Sequence, residues 1–476
     1  MIVDTSAQQF PPPTQHNWPV SHTVKHPPMM TGIHPINTTT IHDIKPTMLP
    51  PPPTSHTHTL QYNNIATWNK ARASSMILPH GPVNTPVFMP VGTQGSIKSL
   101  TSAQIDQLGY KLILGNTYHL SLRPTAELID QFNGLHSYIN WSNNLLTDSG
   151  GFQMVSLIEL AVINEQGVEF QSPVDGSTLL LTPEKSIELQ NQIGADIIMM
   201  LDDVCSSLTP DFNRFIEASD RTIRWLDRCI VAHSKPDKQN LFAIVQGGLD
   251  VSDNGLRAQN LADMLARDQY LPGYAIGGLA GGEDKHQFWR VVAQCCDALP
   301  ANKPRYLMGV GYPVDLVICS ALGVDMYDCV WPCRTARFGT AIVKNGLLQL
   351  NKQLYRNDLN AIDSTCGCTT CQYGNGYSRS YLCSLIGKDT NVCTLVTVHN
   401  LYTIKQLMNS IRQSIIDGVF DQFVLEFMRL QYPTHQYPKW CVDALHYAGI
   451  DLPVSNGIES NDDQTQHVIA ERIDTE

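Results

Sequence analysis

The sequence predicts an α/β fold of the (β/α)8 barrel type, and three observations carry that prediction. Short apolar runs recur along the chain, amphipathic helical segments lie between them, and a glycine or polar residue stands just past the end of run after run. Runs that are apolar throughout suit parallel strands covered on both faces by crossover helices. Polar groups gathered after strand ends suit a barrel, whose chemistry sits at the carboxyl ends of its strands. A doubly wound open sheet competes, but no Gly-x-Gly-x-x-Gly turn follows the first strand.

The chain opens on a segment of a different kind. Residues 1–60 hold 12 of the 29 prolines and 7 of the 16 histidines, with few charges. Such a composition buries too little apolar surface to offset its ordering entropy, so this leader is expected to be disordered. Its histidines lack metal-ligand spacing, and its lack of arginine argues against a mitochondrial transit peptide. From about Tyr62 the alternation begins. Strands are expected at 111–115, 196–201, 241–245, 274–276, 306–310 and 324–327. Helices are expected at 183–193, where Thr182 caps and Pro183 takes the first helical position, and at 218–231, 256–265 and 285–299. A cysteine cluster follows residue 360, then a helix near 404–419, then an acidic tail at 459–476. The main domain is expected to span 61–458, with a metal-binding subdomain at about 360–432.

Hydrophobic residues at 42% and charged residues at 16% suit a globular core. There is no apolar run of 18 residues and no basic-then-apolar leader, so neither a membrane span nor secretion is expected. The cytoplasm is the expected compartment. The formal charge of −12 is a poor footprint for nucleic-acid binding. Between Cys329 and Asn357, however, Arg334, Arg337, Lys344, Lys352 and Arg356 occur without one acid, which is either a solvated face or a local basic surface. The 13 cysteines, an odd number, point to free thiols and a metal site rather than a disulfide framework.

Cys366, Cys368 and Cys371 form Cys-x-Cys-x-x-Cys, and His399 follows 28 residues later. Three thiolates and one imidazole would close a tetrahedral Zn2+ shell, a structural rather than catalytic arrangement. Cys383 and Cys393 compete with His399 for the fourth place.

Two acids stand out. Asp148 opens Asp148-Ser149-Gly150-Gly151-Phe152-Gln153, and Asp328 ends an expected strand. Asp148 is either a ligand-facing acid or the cap of a tight turn; Asp328 is either a site group or a partner for Arg334 or Arg337. A pair of carboxylates at one sugar carbon has a chemical logic: one attacks the anomeric carbon, the other moves protons on the departing and arriving groups. Asp202-Asp203, Gln246-Gly247-Gly248 and Gly277-Gly278-Leu279-Ala280-Gly281-Gly282 follow three other strands. They offer acceptors, an amide and bare backbone N–H groups that suit the edge of a guanine-like base. A phosphate cradle is the alternative, weakened by the lack of a Walker-type lysine.

On these residues the stretch from about Ile65 to Tyr432 resembles the tRNA-guanine transglycosylases. The matching motifs run in order: Gly115-Asn116-Thr117-Tyr118-His119-Leu120, Asp148-Ser149-Gly150-Gly151-Phe152-Gln153, Ile244-Val245-Gln246-Gly247 and Gly277-Gly278-Leu279. Tyr306-Leu307-Met308-Gly309-Val310-Gly311, Asp328-Cys329-Val330 with Pro332, Arg334, Ala336 and Arg337, and the cysteine cluster complete the series. The resemblance implies a (β/α)8 barrel with a zinc-binding insertion, one structural Zn2+, and exchange of guanine for queuine at the wobble position of GUN-anticodon tRNAs. It implies Asp328 as nucleophile and Asp148 as general acid/base. Asp202, Gln246, Gly278 and Leu279 would hold the base edge, with Ser149 and Gly281 in the base pocket. Phe152 and Met308 would sandwich the base, and Arg334 and Arg337 would hold RNA.

Both acids being present implies the catalytic rather than the non-catalytic subunit. Val204 and Gly281 stand where bacterial members carry cysteine and valine, which implies a eukaryotic type with room for the cyclopentenediol of queuine. A tRNA-binding scaffold subunit and a bacterial-type enzyme using the smaller precursor base are the rivals. A heterodimer with a non-catalytic homologue is the implied assembly, with a homodimer as the alternative and the mitochondrial outer membrane as a further location. Trp331 and Cys333 depart from the family pattern.

Overall fold

The structure is a computed structural model that describes residues 47–51, 59–152, 161–172, 176–372, 374 and 376–453. Most of the expected leader, Gln153 and the acidic tail lie outside the described residues.

Eight parallel strands close into a barrel: β1 (Val87–Gly92), β2 (Leu112–Gly115), β3 (Asn144–Thr147), β4 (Ile197–Met199), β5 (Asn240–Val245), β6 (Gly273–Ile276), β7 (Arg305–Leu307) and β8 (Met326–Cys329). Each pairs with its neighbours in chain order. β8 pairs with β1 through Met326↔Val87, and β3 with β4 through Leu146↔Ile197. The strands are buried along their length, as parallel strands covered on both faces must be. β8 is the exception: its last two residues, Asp328 and Cys329, are only half-buried at the rim.

The local code of the helices is visible. Helix Pro183–Ile193 takes Thr182 as its N-cap, whose hydroxyl accepts from the Lys185 N–H at 3.1 Å, and ends on Gly194 at φ 77°. Asp284 caps helix Lys285–Ala298, and Asp389 caps the 27-residue helix Thr390–Ile416.

An antiparallel sheet of Gln61–Trp68, Ala71–Leu78 and Gly81–Thr85 precedes the barrel. It brings Tyr62 and Arg72 to Asp325, the residue just before β8. Two pieces inside the expected leader contact the same N-terminal end. The Tyr270 hydroxyl donates to the Pro50 carbonyl at 2.7 Å, and the Leu60 N–H donates to Asn240 Oδ1 at 3.0 Å. A second antiparallel sheet, Val162–Ile163, Val168–Gln171 and Thr178–Leu181, lies between β3 and β4 in the chain.

Candidate functional site

The residues singled out in the sequence follow barrel strands at their C-terminal ends. Asp148 follows β3. Its Oδ1 accepts the Thr117 N–H at 2.8 Å, its Oδ2 accepts the Asn116 side-chain amide, and the Thr117 hydroxyl donates to its backbone carbonyl at 2.5 Å. Asn116 and Thr117 follow β2, so two adjacent strands fix one carboxylate. Ser149 is buried beside it, its carbonyl taking the Ser186 hydroxyl at 2.7 Å.

Asp202 lies beyond β4 and accepts the Gln246 side-chain amide at 2.6 Å, Gln246 itself following β5. Gly278, after β6, comes so close that a Cβ there would sit 2.6 Å from Gln246 Oε1, and its φ is +69°. The left-handed φ favours glycine here, and any side chain would displace the Gln246 amide from its place. Burial pushes the Asp202 carboxyl up to about 6; the Gln246 amide offsets part of this, and the charges of Asp203 and Asp148 add to it. Asp203 points elsewhere, into an ion network with Arg214 and Arg221 of helix Phe212–Ala232.

Asp328 stands near the end of β8. Its Oδ1 accepts both the Tyr306 hydroxyl at 2.6 Å and the Gly309 N–H at 2.8 Å. Among the described residues no hydrogen bond falls on its Oδ2. Burial raises the Asp328 carboxyl above its ordinary range, and the two donors pull it part of the way back. The Tyr306 hydroxyl is pushed well above its ordinary pKa by burial first, then by the charges of both Asp328 and Asp148. Tyr306 is the middle residue of β7, and of the two acids its hydroxyl hydrogen-bonds to Asp328.

Met308 is half-buried and Phe152 is 60% exposed. Leu279 is half-buried and Gly281 exposed. Arg334 and Arg337 occupy the last turn of helix Trp331–Arg337, which leaves β8 directly. Trp331 and Cys333 are buried in that helix, the Trp331 ring packing on Tyr312 at 4.5 Å. Both departures therefore sit in the packing of the helix.

Cys366, Cys368, Cys371 and His399 form a buried cluster that could hold one metal ion. His399 Nδ1 lies 3.5, 3.6 and 3.4 Å from the three Sγ atoms. Ligand atoms about 2.0–2.3 Å from a tetrahedral zinc stand roughly 3.5 Å apart, so the donor set fits. The other ring nitrogen, Nε2, donates to the Ile342 carbonyl at 2.9 Å. A carbonyl can only accept, so Nδ1 is left bare to face a metal. Cys383 and Cys393 lie outside the cluster, their thiols on the Lys352 and Arg337 carbonyls. Asn400, next to His399, donates to the Pro332 and Thr340 carbonyls at 3.0 Å each. The cluster is thus stitched to the helix that carries Arg334 and Arg337.

Tyr306, Asn116 and Thr117 lie inside motifs quoted above, yet their hold on the two acids was not read from them. Glu283 was missed altogether. Its Oε1 accepts the Ala280 N–H at 2.8 Å and its Oε2 the Gly281 N–H at 2.9 Å, so it braces the glycine loop after β6. A lone acid just beyond a glycine run was the available signal.

Comparison with known proteins settles the family. The sequence profile of the queuine tRNA-ribosyltransferases matches residues 67–433. The chain belongs to this family. It is 50% identical over 401 residues to the queuine tRNA-ribosyltransferase catalytic subunit of Schizosaccharomyces pombe, covering 83% of this chain and 98% of that one. The catalytic subunit of Caenorhabditis elegans is 48% identical over 408 residues, covering 83% and 100%. A bacterial queuine tRNA-ribosyltransferase, from Fusobacterium nucleatum, is 44% identical over 361 residues, covering 76% and 95%.

Proposed function

We propose that this chain is a catalytic subunit that exchanges guanine for queuine at the wobble position of GUN-anticodon tRNAs, through a covalent ribosyl intermediate on Asp328. The observation that carries the reading is that Asp148 and Asp328 both stand at the C-terminal ends of strands of one barrel, as do Asp202, Gln246 and Gly278, with the Gln246 amide on Asp202 and the Tyr306 hydroxyl on Asp328.

Each step has a residue suited to it. Asp328 Oδ1 is pinned by Tyr306 and Gly309, so Oδ2 is the oxygen presented to C1′ of the ribose. As the Oδ2–C1′ bond forms, the C1′–N9 bond to guanine breaks, and Asp148 supplies the proton the departing base takes up. Queuine enters the same pocket and Asp148 takes its N9 proton. N9 then attacks C1′ and the Asp328 carboxylate leaves. The bond formed resembles the bond broken, so no energy cofactor is required. Ionised Asp202 accepts from the N1–H and amino group of the base, and the Gly278 N–H meets O6. Phe152 and Met308 flank the ring, with Ser149 beneath and the Leu279 carbonyl nearby. Arg334 and Arg337 take the RNA backbone, and the target base lies outside the stack.

The Cys3His cluster suits zinc, which would cross-link residues 366–371 to helix Thr390–Ile416 and take no part in the chemistry. The intact acid pair disfavours a purely tRNA-binding subunit, and Gly281 disfavours preference for the smaller precursor base. The relatives from Schizosaccharomyces pombe and Caenorhabditis elegans are named catalytic subunits, which supports a heterodimer with a non-catalytic homologue. No helix among the described residues is long and apolar enough to cross a membrane. Work on tRNA in the cytoplasm is the proposed setting, with the mitochondrial outer-membrane surface as a second location. The proposed division is a leader at 1–60, a barrel unit at 61–458 and a tail at 459–476, within which the family match at 67–433 falls.

The test is incorporation of labelled guanine into tRNA and its displacement by queuine, with the partner subunit added. Asp328→Ala is expected to lose both by roughly 10³-fold or more. Near-normal turnover would remove the nucleophile assignment.

A further inference from the structure

The flat part of the base has its proposed partners, but queuine is larger than guanine, and one polar group stands beside Gly281, the position proposed to make room for the larger base. This inference rests on the reading above that queuine is the incoming base. A Cβ built on Gly281 would lie 3.0 Å from Ser207 Oγ and 3.9 Å from Glu283 Oε2, and among the described residues no other beyond its chain neighbours comes within 4 Å of that point. Any side chain at 281 would therefore stand in front of the Ser207 hydroxyl. With glycine no side chain at 281 covers that hydroxyl, and Ser207 is half-buried; position 281 lies two residues beyond Leu279 and three beyond Gly278.

The state of that hydroxyl is defined. Ser207 Oγ donates its single hydrogen to Glu283 Oε2 at 3.0 Å. Glu283 is buried and is held on its other side by the Ala280 and Gly281 N–H groups. A hydroxyl that has spent its hydrogen still carries two lone pairs, so Ser207 is poised as an acceptor. The oxygen is fixed by a carboxylate that is itself fixed, so little ordering entropy is lost on binding.

We propose that Ser207 accepts a hydrogen bond from the diol of queuine, and that it is a specificity-determining residue favouring queuine over bases lacking the cyclopentene ring. Guanine and the smaller precursor base lack the cyclopentenediol and gain nothing from it. Ser207 also ties the loop after β4 to the loop after β6, and a purely structural role would touch every base equally.

The test uses the full chain co-expressed with its homologous partner subunit, and compares wild type with Ser207→Ala on four bases. These are guanine, the smaller precursor base, queuine, and a queuine analogue whose cyclopentene ring carries no hydroxyls. In Ser207→Ala, kcat/KM for queuine is expected to fall about three- to tenfold, the worth of one neutral hydrogen bond. The other three bases should stay within about twofold of wild type. An equal fall on all four would reduce Ser207 to a loop tie and overturn the proposal, as would no fall on any. A fall shared by queuine and the hydroxyl-free analogue would show a contact with the ring rather than the diol, and would also overturn it. A wild type that incorporates guanine but not queuine would sink the base assignment itself, and this inference with it.

Discussion

Strands β4 and β8 each carry an aspartate at both ends, and the two ends treat the same side chain in opposite ways. At the N-terminal end Asp196 accepts from the Leu145 N–H at 2.7 Å and pairs with His80 at 2.6 Å and His136 at 3.1 Å. Asp325 takes Arg72, the Tyr62 hydroxyl at 2.8 Å and the Arg305 N–H at 2.8 Å. At the C-terminal end Asp202 has one side-chain amide, and Asp328 has two donors crowded on one oxygen. Burial penalises both Asp196 and Asp202. The His136 and His80 hydrogen bonds outweigh it at Asp196 and hold that carboxyl below its ordinary range, whereas Asp202 rises to about 6. Depth in the fold is therefore not what separates them; the number of donors is. On these two strands the donor-rich acids, Asp196 and Asp325, hold the barrel, while Asp202 and Asp328 have fewer donors; Asp148, at the same end as the latter pair, is held on both oxygens by Asn116 and Thr117.

Substitutions can break this contrast. The largest effect is expected at Asp328, where alanine removes activity and leaves the fold. Asp325→Ala should do the reverse. It strands the buried Arg72 guanidinium, so denaturant unfolding should show a loss of about 3–5 kcal/mol, while kcat per folded molecule stays near wild type. If Asp325→Ala instead lowered kcat without destabilising the protein, the division between the two ends would fail.

Asp202 sharpens the comparison through pH. Its carboxyl goes from 3.8 to about 6 on folding, so its contribution to stability is present below 3.8 and is lost as pH rises through about 6. At pH 7.5 the ionised Asp202 costs stability on the order of 3 kcal/mol. Asp202→Asn is expected to unfold later than wild type at pH 7.5, with the gap closing towards pH 4, and yet to lose base affinity. In wild type, KM for the base should rise as pH falls below about 6. A pH-independent gap in stability would contradict the assignment.

Metal removal should have the smallest effect on chemistry. Cys368→Ser is expected to lose one equivalent of zinc and the hydrogen-exchange protection of helix Thr390–Ile416 around His399. It should raise KM for tRNA several-fold, because Asn400 stitches that helix to the segment bearing Arg334 and Arg337. A kcat collapse with unchanged KM would point to a catalytic metal instead.

The cysteine-rich cluster also shows how composition can mislead. His80, His136 and Asp196 come equally close together, but their imidazoles stack at 3.7 Å and already pair with the carboxylate. His399 instead gives one nitrogen to a carbonyl and turns the other to three thiols.

Much of the barrel was legible because its signals are local. Helices Pro183–Ile193 and Leu256–Leu265 match their expected bounds, each apolar face being bounded by a cap or a break. Two barrel strands escaped. Val87–Gly92 contains Pro90, which argues against a strand, and Asn144–Thr147 is four residues with polar ends. The first half of helix Thr390–Ile416 was also hidden, since Val392, Val396, Thr397 and Val398 favour strands, and the Asp389 cap and burial override them. The acids themselves were legible from their motifs. Tyr306 on Asp328, and Ser207 on Glu283, were not, because each contact joins loops or strands far apart in the chain.

The most direct measurement is to denature the enzyme during turnover on tRNA, digest both components, and locate the ribosyl-modified peptide by mass spectrometry. The account expects a single adduct on the peptide containing Asp328, absent in Asp328→Ala. An adduct on Asp148, or none from an enzyme that is actively exchanging base, would contradict it.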